Sequence, residues 1–122
     1  MNSYRDLRVW NDAINLVTSI YRVSSSFPAS EKFGLQNQMR RAAVSIPSNI
    51  AEGQGRISSG EWRQALGHAR GSLLELETQL IIAENLGFME DSQTTELLDV
   101  TARLGRELNS LIKYVSSRRS SA

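Results

Sequence analysis

Five arginines in the middle of the chain are the side chains whose type and spacing could do chemistry. They are Arg40, Arg41, Arg56, Arg63 and Arg70. Arg63 and Arg70 are seven residues apart, so on a helix they share one face. The planar guanidinium group of arginine suits both carboxylates and phosphates. The pattern therefore fits two kinds of partner, which are acidic protein side chains and nucleic acid.

Charge is distributed unevenly along the chain although the formal net charge is only +1. Residues 40–70 carry +3, residues 71–99 carry −7 and residues 100–122 carry +4. The acidic stretch offers partners to the arginines within one subunit or between subunits. The pI of 8.2 is below the level typical of nucleic-acid-binding domains. Charge alone therefore favours ion pairing slightly over RNA binding.

The stretch RRAAVSIPSNIAEGQGR (40–56) has a proline inside a helical pattern. Pro47 removes one backbone donor and frees the carbonyl of Ala43, so a kinked helix is predicted. Short polar side chains around the proline can satisfy such freed groups locally or through water. They are Ser45, Ser48 and Asn49.

Asn49 and Glu52 are three residues apart and lie close to the predicted bundle seam, just before Gly53. Polar groups at such a place cost free energy unless they are hydrogen-bonded. We therefore predict that Asn49 and Glu52 form a buried polar pair that fixes the helix register or a subunit contact. Pro47, Asn49, Glu52 and Gly53 are the predicted structural and assembly motif.

Common catalytic and metal-binding patterns do not fit the sequence. There is no cysteine, and the one histidine, His68, has Ala65 three residues before it, which excludes the Glu-x-x-His pairs of di-iron bundles. GQGRISSG (53–60) matches neither of the common phosphate-binding loops, so an inter-helix turn is the better interpretation. We expect no enzymatic activity, no metal and no cofactor.

Apolar residues recur at spacings of three and four in four segments, which predicts four helices. The segments are about 6–24, 31–53, 58–87 and 91 onward. Ser58 and Glu61 have the spacing of a capping box at the start of the third helix. Similar lengths and short connections predict an all-α, antiparallel up-down-up-down four-helix bundle.

Residues 1–117 are predicted to form one domain, followed by a polar, frayed tail at 118–122. We expect Trp10, Tyr21 and Trp62 to be largely buried. Gly67 and Gly71 share one face of the third helix, which suggests close packing against another helix. The N-terminus has no signal-like apolar core and no segment is long enough to span a membrane, so a cytoplasmic protein without membrane contact is expected.

Three stretches resemble one known family, the 23S rRNA intervening-sequence proteins. They are DLRVW (6–10), FGLQNQMRRAAVSIPSNIAEGQGR (33–56) and LLELETQLIIAENLGF (73–88). The long motif at 33–56 is specific, whereas the fourth helix matches only in pattern. The positions that match the family are Arg40, Arg41 and Arg56, the four motif residues named above, and Gly71, Ser72, Glu75 and Glu77.

The resemblance implies a four-helix bundle that assembles as a homopentamer without enzymatic activity. Related accessory proteins of diversity-generating retroelements form basic pentamers that associate with nucleic acid and a reverse transcriptase. Our leading hypothesis is accordingly an assembly that interacts with structured RNA or a nucleoprotein through Arg40, Arg41, Arg56, Arg63 and Arg70. The alternative is a protein-binding scaffold whose arginines serve subunit interfaces.

Overall fold

Four long helices and two short 3-10 turns make up the computed structural model, which describes residues 3–56 and 58–121, with side chains as far as Ser117. The described residues contain no strand, which confirms the all-α prediction. In chain order the elements are the turn Tyr4–Asp6, α1 Arg8–Ser24, the turn Ala29–Glu31, α2 Leu35–Gln54, α3 Ser59–Asn85 and α4 Asp91–Ser121.

One apolar core receives side chains from all four helices. The largest fully buried hydrophobic side chains are Leu16, Ile20, Met39, Ile46, Ile50, Leu66, Leu76, Leu80, Leu104, Leu108 and Val115. Packing joins α1 to α2, α2 to α3, α3 to α4 and α4 to α1, whereas the diagonal helices do not come this close within the described chain. The four helices therefore surround the core as a four-helix bundle does.

Paired positions show the relative direction of neighbouring helices. Gly53 lies beside Ala65 while Ser45, earlier in α2, bonds Ser72, later in α3. In the same way Gly105 lies beside Leu73 while Thr101 bonds Glu77. Both helix pairs therefore run antiparallel, and the up-down-up-down order of the whole bundle stays a prediction.

Local signals set the helix ends. The Ser58 hydroxyl accepts a hydrogen bond from the Glu61 backbone N–H at 3.1 Å, which confirms the predicted N-cap of α3. The second helix begins at Leu35, four residues later than expected. Gly34 adopts a non-helical backbone there, and the Glu31 carboxylate instead accepts the Leu35 N–H at 2.9 Å.

Gly87 ends the third helix in the left-handed conformation, with a φ of 80°. The N–H of Phe88 then reaches back to the carbonyl of Ala83 at 2.9 Å, a bond that closes the last helical turn. The turn also directs Phe88 onto Phe27 of the α1–α2 connection, with ring centroids 5.5 Å apart. The α1–α2 and α3–α4 connections are thereby packed together.

The burial predictions for the aromatic residues were partly right. Trp62 is only 8% exposed, as expected. Tyr21 is 43% exposed and Trp10 is half-buried, so the prediction for Tyr21 was wrong. Helix α1 has two adjacent apolar rows, and the row of Leu16 and Ile20 faces the core. Trp10 and Tyr21 belong to the other row.

The prediction of close packing at Gly67 and Gly71 also needs correction. A Cβ atom added to Gly67 or Gly71 would meet no described atom within 4 Å, so these glycines do not mediate close packing inside the chain.

Pro47 is buried inside α2, which is one uninterrupted helix from Leu35 to Gln54. The kink at Pro47 stays a prediction. Helix α4 extends to Ser121, which includes the backbone of most of the predicted tail, and residue 122 lies outside the described residues.

Candidate functional site

Arg40 holds the C-terminal end of α1 against α2. Its guanidinium donates hydrogen bonds to the Ser24 hydroxyl at 2.9 Å and the Tyr21 carbonyl at 3.2 Å. It also lies 4.5 Å from the centre of the Tyr21 ring, within the range of a cation–π contact. Gln36 donates to the Ser24 carbonyl at 2.7 Å beside it. Arg40 is therefore occupied by contacts within the chain.

Arg56 pairs with two carboxylates at the α2–α3 turn. It donates to Glu52 one helical turn earlier and lies 4.0 Å from Glu61 of α3. All of these side chains are about half exposed, so the pairs add little to stability. His68 lies across the turn and lines a polar pocket of about 270 Å³ with Asn49 and Glu52.

Arg63 and Arg70 flank an open groove of about 870 Å³ on the outer side of α3. Gly67, Gly71 and Leu74 line the groove, and Ile112 of α4 lies at its edge. Neither arginine has an ion-pair partner among the described side chains. Ser58, Glu61 and Gln64 line the end of the groove nearest the α2–α3 turn, so its surface is polar there and apolar or glycine toward Leu74.

Arg41 is exposed beside a second groove, of about 330 Å³, between α2 and α3. Ser45, Ser72 and Glu75 share this groove with it. The five arginines therefore do not form one basic patch. Arg40 lies at α1–α2, Arg41 at α2–α3, Arg56 at the turn and the other two at the outer α3 groove.

The predicted Asn49–Glu52 pair does not form, so that prediction was wrong. The Asn49 amide donates to the Ser45 carbonyl at 2.8 Å and to the Ser45 hydroxyl at 3.0 Å. That hydroxyl lies 2.8 Å from the hydroxyl of Ser72 in α3. Glu52 points outward to Arg56. The polar group that joins the helices is thus Asn49–Ser45–Ser72, of which the sequence indicated the two α2 members but not their link to α3.

Gly53 is the position where α2 and α3 approach most closely among the described glycines. A Cβ atom there would lie 2.8 Å from the Ala65 Cβ and 2.9 Å from the Trp62 Cδ1. Glycine is therefore required for Trp62 to pack against α2. The indole N–H of Trp62 is buried without a hydrogen-bond partner in the described chain.

Two carboxyl pairs were not indicated by the sequence. Burial, and then a hydrogen bond that the protonated carboxyl donates to Asp12 of α1, raise the pKa of Glu107 on α4. A hydrogen bond with Asp91, with some burial, raises the pKa of Glu84 at the α3–α4 turn. No local signal could have found the first pair, because its members are 95 positions apart in the sequence.

The described residues contain neither a cluster of metal-ligating side chains nor a helix suited to span a membrane. Across 3–56 and 58–121, no three His, Cys, Asp or Glu side chains come together as possible metal ligands. None of the helices in the described part combines the length and apolarity needed to cross a bilayer.

Four helices around a single core, with arginines on the outer faces, define an all-α helical-bundle protein. The chain belongs to the family of 23S rRNA-intervening sequence proteins, whose family model matches residues 5–110. The resemblance found in the sequence is thereby confirmed. None of the curated proteins compared with the chain matches it.

The chain is also similar to a crystal structure from Bacteroides thetaiotaomicron VPI-5482, described as a protein with unknown function from the S23 ribosomal protein family. The TM-score is 0.80 at 21% sequence identity, and the match covers 86% of this chain and 95% of that chain. At this identity the likeness supports the fold. Neither match indicates a catalytic family.

Proposed function

We propose that the protein is a non-enzymatic, self-associating helical scaffold that functions as a homo-oligomer. The observation that carries this proposal is the outer side of α3. Leu74, Ile81 and Ile82 are each more than two-fifths exposed there. An exposed helix face that combines large aliphatic side chains with open glycines is typical of a protein-binding surface.

The mass of the assembly in solution tests this proposal. The chain has a mass of 13.6 kDa, so a homopentamer, as the family resemblance implies, would have a mass of about 68 kDa. Light scattering coupled to size-exclusion chromatography measures this mass directly. A protein that stays monomeric at every concentration tested would contradict the proposal.

Binding of structured RNA is the second candidate function. It is favoured by Arg41, Arg63 and Arg70, which have no carboxylate partner among the described side chains. A symmetric assembly would repeat this modest positive charge around its surface, so that a nearly neutral chain can attract phosphate. A nucleoprotein such as a reverse transcriptase complex would be recognised in the same way.

Salt titration separates the two functions. If the arginines bind phosphates, the logarithm of the affinity for a structured RNA falls with the logarithm of the salt concentration, by about 0.7–0.9 for each phosphate contact. Arg41→Ala and Arg70→Ala should each reduce that slope, whereas Arg40→Ala should change it less because Arg40 is occupied inside the chain. If an intact oligomer binds no RNA at low salt, RNA binding is excluded and only the scaffold function remains.

A further inference from the structure

The α3 groove, defined by Gly67, Arg70, Gly71, Leu74 and Ile112, is open at the surface of the single chain. Gly67 and Gly71 leave open space within 4 Å of where a Cβ atom would lie, and Leu74 is 54% exposed. Glycine inside a helix lowers its stability relative to alanine. Nothing in the described chain approaches these two glycines to compensate. A surface without side chains is what allows a second helix to come close.

The α1 ridge, defined by Trp10, Ile14 and Tyr21, is the complementary feature on the same chain. Spacings of four and seven place the three residues on one side of α1. Ile14 and Tyr21 are exposed and Trp10 is half-buried. The ridge residues themselves are uncharged, and the nearest cation is Arg40 of α2, which lies 4.5 Å from the centre of the Tyr21 ring. Between Val9 and Tyr21 the only charged residue is Asp12, and it faces Glu107 of α4.

We propose that the α1 ridge of one copy packs into the α3 groove of a second copy. This inference rests on the proposed self-association and assigns its two surfaces. Large side chains on the ridge match glycines in the groove, so one contact covers both exposed features. The ridge is not too long for this side of α3, since Trp10 to Tyr21 spans about 16 Å along a helix and the groove-lining residues from Gly60 to Leu74 span about 21 Å.

The rim of the groove suits an aromatic ridge. Arg63 and Arg70 lie there without a carboxylate partner in the described part of the chain. Guanidinium groups stack on aromatic rings, and the ridge offers the ring of Trp10, whereas the Tyr21 ring already contacts Arg40 of its own chain. The contact would bury both of these rings and pack both glycines closely, which are the arrangements that the single chain lacks.

The two surfaces lie on opposite sides of the bundle, which determines the kind of assembly. The ridge is on the side that α1 shares with α2, because Tyr21 contacts Arg40. The groove is on the side shared by α3 and α4. A contact between two different surfaces is head-to-tail, so successive copies close into a ring when the rotation permits.

Cysteine cross-linking tests the contact without interference, because the natural chain has no cysteine. We would react the double variant Ile14→Cys/Leu74→Cys with a short bis-maleimide and separate the products under denaturing conditions. The expected result is a ladder of covalent oligomers up to the size of the native assembly. The matched control is Ile14→Cys/Thr95→Cys, whose second cysteine lies on an exposed part of α4 away from the groove; it should remain mostly monomeric.

A dimer formed by Leu74→Cys alone would overturn the inference, because it would mean that two α3 helices face each other across a two-fold axis. An oligomer of the double variant that gives no cross-linked ladder would also overturn it while leaving the proposed self-association intact. A monomeric protein would contradict both. The measured mass of the uncross-linked variants distinguishes these cases.

Filling the groove provides a second test. Gly71→Leu places a side chain where the structure has open space, so the single chain keeps its fold. Overpacking at the proposed contact should weaken self-association about tenfold or more. Thr95→Leu, on exposed α4, is the control and should leave association unchanged. Equal association of Gly71→Leu and the natural chain, with helix content preserved by circular dichroism, would contradict the proposed contact.

Discussion

Gly53 lacks a side chain at the point where Trp62 of α3 packs against α2. Replacement by alanine would bring its Cβ within 2.8 Å of Ala65 and 2.9 Å of Trp62, closer than packed atoms allow. The strain should exceed the gain in helix propensity, for a net loss of about 1–2 kcal/mol.

Urea unfolding of Gly53→Ala measures this loss. Gly55→Ala is the matched control, because a Cβ atom there meets only ordinary contacts, the nearest at 3.6 Å. Its stability should change by no more than about 0.5 kcal/mol. Similar losses in both variants would show that the effect comes from the turn in general and not from the Trp62 contact.

Arg40 and Arg41 are neighbours in sequence but differ in their surroundings. Arg40→Met removes two charged hydrogen bonds to the end of α1 and the contact with the Tyr21 ring, so the free energy of unfolding should fall by about 1–3 kcal/mol. Arg41→Met removes an exposed side chain and should change it by less than about 0.5 kcal/mol. Thermal unfolding of the two variants compares them directly, and equal effects would contradict the role given to Arg40.

The structural role of a residue could be predicted from the sequence where its contacts are local. The capping of α3 by Ser58 needs only four consecutive residues, and the sequence indicated it correctly. The roles of the arginines depend on side chains from other helices, such as Ser24, which is 16 residues from Arg40. The sequence therefore indicated that arginines matter but not which of them are occupied.

At the scale of helices, the hydroxyls of Ser45 and Ser72 couple α2 to α3. They lie 2.8 Å apart, and Asn49 bonds the first of them. Ser45→Ala and Ser72→Ala should each destabilise the fold, and the double variant should lose less than the sum. A coupling energy of about 0.5–1.5 kcal/mol is expected from a double-mutant cycle measured by chemical unfolding. Strict additivity would show that the hydrogen bond contributes nothing.

The α1–α4 contact should make stability depend on pH through Glu107. Its pKa in the folded protein is raised above the ordinary value of 4.5, mainly by burial and also by Asp12. The protonated form is therefore favoured by folding, and this stabilisation is present below pH 4.5 and is lost as the pH rises through the raised pKa. Glu107→Gln keeps the uncharged state at every pH.

We expect Glu107→Gln to unfold at a higher temperature than the natural protein at neutral pH, with a difference that disappears at acidic pH. Thermal melts across this range measure the effect. Asp99→Asn, a change at an exposed carboxylate of the same helix, should not reproduce it. A lower melting temperature of Glu107→Gln at neutral pH would contradict the assigned direction of the pKa shift.

The periodicity of apolar residues predicted the four helices because each helix must bury one face. The same pattern could not decide between the two apolar rows of α1. That choice depends on where α2 and α4 lie, and it left Tyr21 on the surface. Likewise, a glycine pair predicts close packing but does not say whether the partner helix belongs to the same chain.

For the whole molecule, self-association should stabilise the folded chain by mass action. If copies bind one another only when folded, the melting temperature rises with protein concentration. Differential scanning calorimetry over a hundredfold range of concentration tests this expectation. Gly71→Leu should show a weaker dependence, whereas a melting temperature independent of concentration in the natural protein would contradict self-association.

The α2–α3 contacts have a consequence for how the chain folds. Two helices that follow one another in sequence are joined by the contacts Gly53–Ala65 and Ser45–Ser72. The first and last helices of the chain are joined by Asp12 and Glu107. Closing a long loop costs more entropy than closing a short one, and local contacts form faster. The central hairpin should therefore nucleate folding, and during synthesis it can bury Trp62 before α4 has left the ribosome. In pulse-labelling hydrogen exchange, the amides of α2 and α3 should be protected before those of α1.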